Sequence, residues 1–169
     1  MDQTISREEL ARRLDGLPRF SLAQLPTPLQ PLMNFGDAVG GLNLWMKRDD
    51  LSGLEGGGHK TRKLEFVVGD ALRRGCDMLV TVGAIQSNHT RQTAASAAKA
   101  NLKCALLHCA WTKDAGPQYR EIGNVLLSSL MGAELYVDET PRLIEDQGPL
   151  DALMANDGFA SIALKSGTA

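Results

Sequence analysis

The chain has 169 residues, 43% of them hydrophobic, with 17 glycines and a formal net charge of −2, which is room for one α/β domain or for one domain and part of another. That charge leaves no basic footprint for nucleic acid and no polybasic membrane signal, and no apolar stretch approaches a bilayer span. Arg7, Glu8, Glu9, Arg12 and Arg13 interrupt any N-terminal signal core, and Cys76, Cys104 and Cys109 lack zinc-type spacing, so a reduced, cytoplasmic protein without a metal is expected.

Ser6 with Glu9 three residues on is a capping-box signature, opening a helix whose apolar face carries Leu10 and Leu14. Pro18, Pro26, Pro28 and Pro31 punctuate an extended stretch. A short helix from Leu32 then ends at Gly40-Gly41, and Leu42, Leu44 and Met46 alternate as a strand. After Lys60, the residues Leu64, Val67, Val68, Ala71 and Leu72 share one stripe of a helix that Gly75 ends. Strand 78–82, helix 88–100 and strand 103–108 form a βαβ unit. Cys104, His108 and Cys109 lie in or beside the last of these and read as strand residues rather than metal ligands. A helix over 119–131, with Ile122, Val125, Leu126 and Leu130 inward, closes at Gly132. Strand 134–138, a short helix from Gly148-Pro149 to Asn156 and a strand over 159–164 follow. Strands alternating with helices predict an α/β fold with a doubly wound parallel sheet in three αβα layers. In such sheets the ligand crevice lies beyond the carboxyl ends of the strands.

Two segments carry chemistry. Gly56-Gly57-Gly58-His59-Lys60 delivers a lysine to a helix start through a glycine run, and glycine lets a ligand lie against the main chain. The positive potential of a helix N-terminus favours the neutral amine that attacks a carbonyl. A solvated lysine after a flexible turn is the plainer reading of that segment taken alone. Gly83 to Ala95 follows a buried strand and precedes an alanine-rich helix, so its polar loop reaches the unpaired N–H groups of a helix N-terminus, an anion site. Ser87 and Asn88 are also good N-cap residues, and for this segment taken alone capping is the plainer reading.

Together, the stretch Gly57 to Phe66 and the stretch Gln86 to Ala95 resemble the pyridoxal-phosphate enzymes of the D-cysteine desulfhydrase and 1-aminocyclopropane-1-carboxylate deaminase group, of tryptophan synthase β-like fold. The resemblance runs from about Leu17 to about Arg142 and includes Leu25 to Leu29, Lys47 to Asp50 and Gly123 to Leu127. It implies residues 1–60 as the N-terminal segment of a large cofactor domain, 61–160 as a small α/β domain, and 161–169 as a tail returning toward the large domain. It implies pyridoxal 5'-phosphate as cofactor, with Lys60 as the catalytic lysine that holds it as a Schiff base. Ser87 is implied in catalysis, Asn88 beside the cofactor's ring oxygen, and Ser87, Asn88 and His89 around the carboxylate of a small amino-acid substrate. D-cysteine, yielding pyruvate, sulfide and ammonia, is the substrate expected first; 1-aminocyclopropane-1-carboxylate is the alternative. Trp111 and Tyr119 are candidates for the substrate side of the crevice, although lone aromatics usually pack. Asp49-Asp50 reads as a solvated turn or cap, and Arg62 and Lys63 as exposed helix residues unless they meet phosphate.

His59 stands where the resemblance leads one to expect asparagine. The resemblance also fades after Arg142 while the chain ends at Ala169, so a truncated representative is expected, or one completed by another chain or by a homo-oligomer through exposed apolar surface. A catalytically incomplete anion-binding module or an interaction subunit is the remaining alternative.

Overall fold

The structure is a computed structural model that describes residues 5–111, 116–140, 146, 148–156 and 162–164. Helix α1 (Arg7–Asp15) starts as expected, with Ser6 Oγ accepting the Glu9 N–H at 3.2 Å. Only half of the capping box forms, because the Glu9 carboxylate takes the guanidinium groups of Arg12 and Arg13 instead. No α1 side chain is buried, and Leu10 and Leu14 face outward with it.

Strands β1 (Leu29–Pro31) and β2 (Trp45–Lys47) form an antiparallel ribbon around helix α2 (Met33–Ala38). The strand expected from Leu42 begins only at Trp45. Gly41 and Leu42 instead donate their N–H groups to the Gly36 carbonyl and close the end of α2.

The main sheet is parallel, in the order β5–β4–β3–β6: β3 (Met78–Ala84), β4 (Lys103–Cys109), β5 (Glu134–Asp138) and β6 (Ile162–Leu164). Successive strand residues face opposite sides, so one face carries Leu79, Cys104 and Leu106. These pack with Leu64, Val68 and Ala71 of helix α3 (Lys60–Arg73) and Ala94, Ala95 and Ala97 of helix α4 (Asn88–Lys99). The other face carries Met78, Val80, Val82, Ala105, Leu107 and Cys109 against Leu150 of helix α6 (Gly148–Asn156). Helices on both faces give the three expected layers. Cys104, His108 and Cys109 are buried strand residues, and no metal-binding group occurs among the described residues. No described helix is long and apolar enough to cross a membrane.

Two helices differ from expectation. In α3, Glu65 takes a buried place, whereas Leu72 lies on the exposed edge. The helix expected over 119–131 is broken into a 3-10 turn at Pro117–Arg120 and helix α5 (Asn124–Leu130), with Gly123 at φ 61° between them. Only Val125 and Ser128 of α5 are buried; Ile122, Leu126 and Leu130 are 54%, 45% and 75% exposed, not inward. The positive φ at Gly123 rotates α5 away from the register that an unbroken helix would keep. Residues 159–161 of the expected last strand and the 165–169 tail lie outside the described residues.

The N-terminal segment joins the core of this sheet. Leu22 packs with Leu54, Leu64 and Val68, and Gly69 lets the chain at Pro18 and Arg19 cross α3 closely. A Cβ at Gly69 would stand 2.6 Å from Arg19 N.

Candidate active site

The loop of residues 53–58 is rigidly held. The Gly58 N–H donates to Asp49 O at 2.8 Å and to Ser52 Oγ at 2.9 Å, and the guanidinium of buried Arg91 spans Glu55 and the Gly57 carbonyl. Gly57 sits at φ 72°, and a Cβ there would come within 1.8 Å of the Asp50 carbonyl oxygen. Left-handed backbone alone costs an L-residue about 1–2 kcal/mol, and this contact is with main chain that cannot swing aside. Gly57→Ala is therefore expected to lower stability by about 2 kcal/mol or more, read from urea unfolding.

This loop delivers Lys60 to the first position of α3, half-buried, with no side-chain cap at its N-terminus. Among the described residues no hydrogen bond or ion pair ties its amine. The next residue, Thr61, donates its hydroxyl to Gln92 Oε1 of α4 at 2.9 Å. The start of α3 thus rests on the first turns of α4, and the Lys60 and Lys63 charges both reach His89.

The α4 start lies just past the carboxyl end of β3, where Ser87 Oγ accepts the N–H groups of His89 and Thr90 at 3.1 and 3.4 Å. Gly83 makes room for this cap, since a Cβ there would stand 2.8 Å from Ser87 Oγ. The three expected loop residues divide. Ser87 is half-buried and Asn88 exposed, whereas the His89 ring turns inward, with Nε2 3.0 Å from Thr81 Oγ1 and Nδ1 buried without a partner. Burial, followed by the Lys63 and Lys60 charges, pushes His89 down to about 4, so the ring is neutral near pH 7.

Several residues of this region were not singled out as site residues from the sequence. Asp49 is no solvated turn: Arg62 grips both its oxygens at 2.7 Å and Thr27 donates to it at 2.8 Å. The Arg62 hydrogen bond, which outweighs burial, with help from Thr27, holds the Asp49 carboxyl well below the usual carboxylate range. Gln86 clasps the segment 119–124 through main-chain bonds to Tyr119, Ile122 and Asn124. The Tyr119 carbonyl is held there with its ring partly exposed, while Trp111 packs on the α6 face of the core. Only the adjacency of Gln86 to Ser87 could have signalled its part.

The donor set suits an aldehyde cofactor that bears a ring oxygen. Lys60 offers an amine and Asn88 an amide on neighbouring helix starts. Comparison with known proteins gives the family. Residues 20–158 match the family described as pyridoxal-phosphate dependent enzyme. Over 135 residues the chain is 46% identical to a 1-aminocyclopropane-1-carboxylate deaminase of Burkholderia lata, 48% to one of Burkholderia cenocepacia and 44% to one of Allorhizobium ampelinum. Each match covers 79% of this chain and 38% of the relative, so the chain spans well under half the length of these proteins. A crystal structure of an ACC deaminase homologue is similar at TM-score 0.78 and 33% identity, over 94% of this chain and 47% of that one. The fold is accordingly that of the tryptophan synthase β-like enzymes. With its glycine loop, Lys60 and the whole of α4 inside the matched region, the chain belongs to the pyridoxal-phosphate dependent enzyme family.

Proposed function

We propose that this chain carries the lysine-bearing part of the active site of a deaminase or lyase for a small amino acid, with 1-aminocyclopropane-1-carboxylate as substrate. The observation that carries the reading is the pairing of Lys60 and the Ser87 loop on two helix starts that Thr61 and Gln92 bond together. The names of the similar deaminases favour the cyclopropane substrate. D-cysteine is the second reading, favoured by the Gln86 to Ala95 spelling. The same proposal takes residues 1–60 as part of a cofactor domain, 61–160 as the small domain and 161–169 as the tail returning toward the cofactor domain.

When bound, pyridoxal phosphate supplies a conjugated ring that accepts electrons from the substrate carbon. Lys60 Nζ would hold the cofactor through its aldehyde, and its amine would serve to move a proton at the substrate carbon. Asn88 would donate its amide N–H to the ring oxygen. Ser87 Oγ accepts two N–H bonds as a cap and keeps its own hydroxyl proton for the substrate carboxylate. His89, whose main-chain N–H is taken by the Ser87 cap, stands behind that cradle, and its neutral ring adds no charge beside it. Exposed Leu29, Met33, Phe35 and Trp45 form the side on which a second copy or another chain packs. Three free cysteines fit a cytoplasmic setting.

The test is to add pyridoxal phosphate, reduce with borohydride and map the peptides. The expected result is an adduct on Lys60 that Lys60→Ala abolishes. Label spread evenly over surface lysines in both chains would overturn the reading. Ammonia released from 1-aminocyclopropane-1-carboxylate, against sulfide from D-cysteine, separates the two substrates.

A further inference from the structure

We propose that Asn124 is a positioning residue that fixes which end of the Asn88 carboxamide faces the cofactor, as the last link of a hydrogen-bond relay whose polarity is set by main chain. The consequence for the cofactor rests on the reading above, in which Asn88 serves the ring oxygen; the relay itself does not.

Main-chain groups have one role each, and they leave the side-chain amides no choice of orientation. Gln86 Nε2 donates to two carbonyl oxygens, Tyr119 O at 2.6 Å and Ile122 O at 2.8 Å, while its Oε1 receives the Asn124 N–H at 2.8 Å. Turning this amide over would set an oxygen against two oxygens and an NH2 against an N–H. Asn124 is fixed next, because its Nδ2 donates to the Gln86 carbonyl at 2.9 Å. The same Nδ2 donates to Asn88 Oδ1 at 3.0 Å, and a second donor, Arg91 Nη2, stands 3.5 Å from that oxygen. Asn88 is therefore held with its oxygen toward donors and its NH2 free on an exposed side chain. Gly123 is part of the device, since a Cβ there would stand 2.6 Å from Gln86 Oε1. An anionic ring oxygen needs a donor. Without Asn124, the Asn88 amide would rotate and offer that oxygen an acceptor for part of the time.

Side-chain amide exchange and chemical shifts, followed by NMR in the whole chain, read this directly. In the parent chain the Asn124 NH2 protons are expected to exchange about tenfold more slowly than those of Asn88, the worth of about one hydrogen bond. Asn124→Asp replaces the donor with an acceptor, at a helix start where a carboxylate is well placed. The Asn88 amide should then turn over and its own NH2 should become the slow one. Asn124→Ser, too short to reach, should reduce the shift that pyridoxal phosphate produces at the Asn88 NH2 by severalfold, without loss of fold. Asn88 protons that stay fast in Asn124→Asp, with an undiminished cofactor shift in both variants, would overturn the inference. A reversed exchange order with no cofactor shift at Asn88 in the parent chain would uphold the relay and refute the cofactor reading.

Discussion

Between pH 6.5 and about 4 the folded chain is expected to lose several kcal/mol of stability, because two histidines are buried in neutral form. His89 is 9% exposed and His108 1%. Burial is the first cause for both, the Lys63 and Lys60 charges adding to it at His89, and each is pushed from 6.5 down to about 4. The sign follows from proton counting. Below pH 6.5 the unfolded chain protonates both rings while the folded chain does not, so the unfolded state gains protons and stability falls until the folded values are reached. Each histidine contributes about 3 kcal/mol to that loss, which together rivals the total stability of an ordinary domain. Urea unfolding at pH 7.5, 6, 5 and 4 measures it. His89→Gln and His108→Gln should each remove roughly half of the slope. Equal stability at pH 7.5 and pH 5 in the parent chain would refute the burial of neutral rings.

Periodicity alone reveals neither histidine. The run Leu106-Leu107-His108-Cys109 showed a strand, and the strand is there, but whether a ring in it meets solvent depends on which layer covers it. The same reasoning explains what was legible elsewhere. β3, β4 and β5 and helix α4 follow from local apolar and alanine-rich runs, since each is a local pattern whose partner elements lie nearby in sequence. The Ser87 cap was legible for the same reason. Non-local features were not. The orientation of α5 hangs on one positive φ at Gly123 and on Gln86, 37 residues upstream. Asp49 looked like a solvated turn because its partners, Thr27 and Arg62, sit on other elements. The place of Lys60 at a helix start was legible because glycine spacing and helix onset are local. Its tie to α4, through the Thr61 hydroxyl and the Gln92 amide, was not.

Glu65 is the sharpest case of a residue hidden by its own pattern, and replacing it should produce the largest loss at neutral pH. It is 1% exposed in the middle of α3, a place an amphipathic pattern gives to an apolar side chain. Its Oε1 accepts the Leu22 and Ala23 N–H groups at 3.0 and 2.9 Å, and its Oε2 accepts Arg19 Nε at 2.7 Å. Burial alone would raise this carboxyl; the two main-chain donors, with Arg19, outweigh it and hold it below its ordinary value. Glu65→Ala leaves two N–H groups without their acceptor beside buried Leu22, and should cost about 3–5 kcal/mol. Arg19→Ala should cost no more than about 1 kcal/mol, because its side chain is 49% exposed. Glu65→Gln, which keeps one acceptor oxygen, should fall between them. The acid response separates this site from the histidines: a lowered carboxyl stabilises above its ordinary 4.5 and loses that contribution as pH falls through the folded value. Glu65→Gln should therefore flatten the unfolding profile only below about pH 4.5 and leave the histidine limb intact. Because Gln24, just past the clasped segment, donates its N–H to Ser52 O at 2.9 Å, freeing residues 19–24 also loosens the loop that delivers Lys60. Protease cleavage near residues 19–24 in Glu65→Ala, together with lower pyridoxal phosphate labelling of Lys60, would show that coupling. Arg19→Ala matching Glu65→Ala in both stability and cleavage would show instead that the ion pair, not the two main-chain N–H bonds, anchors the segment.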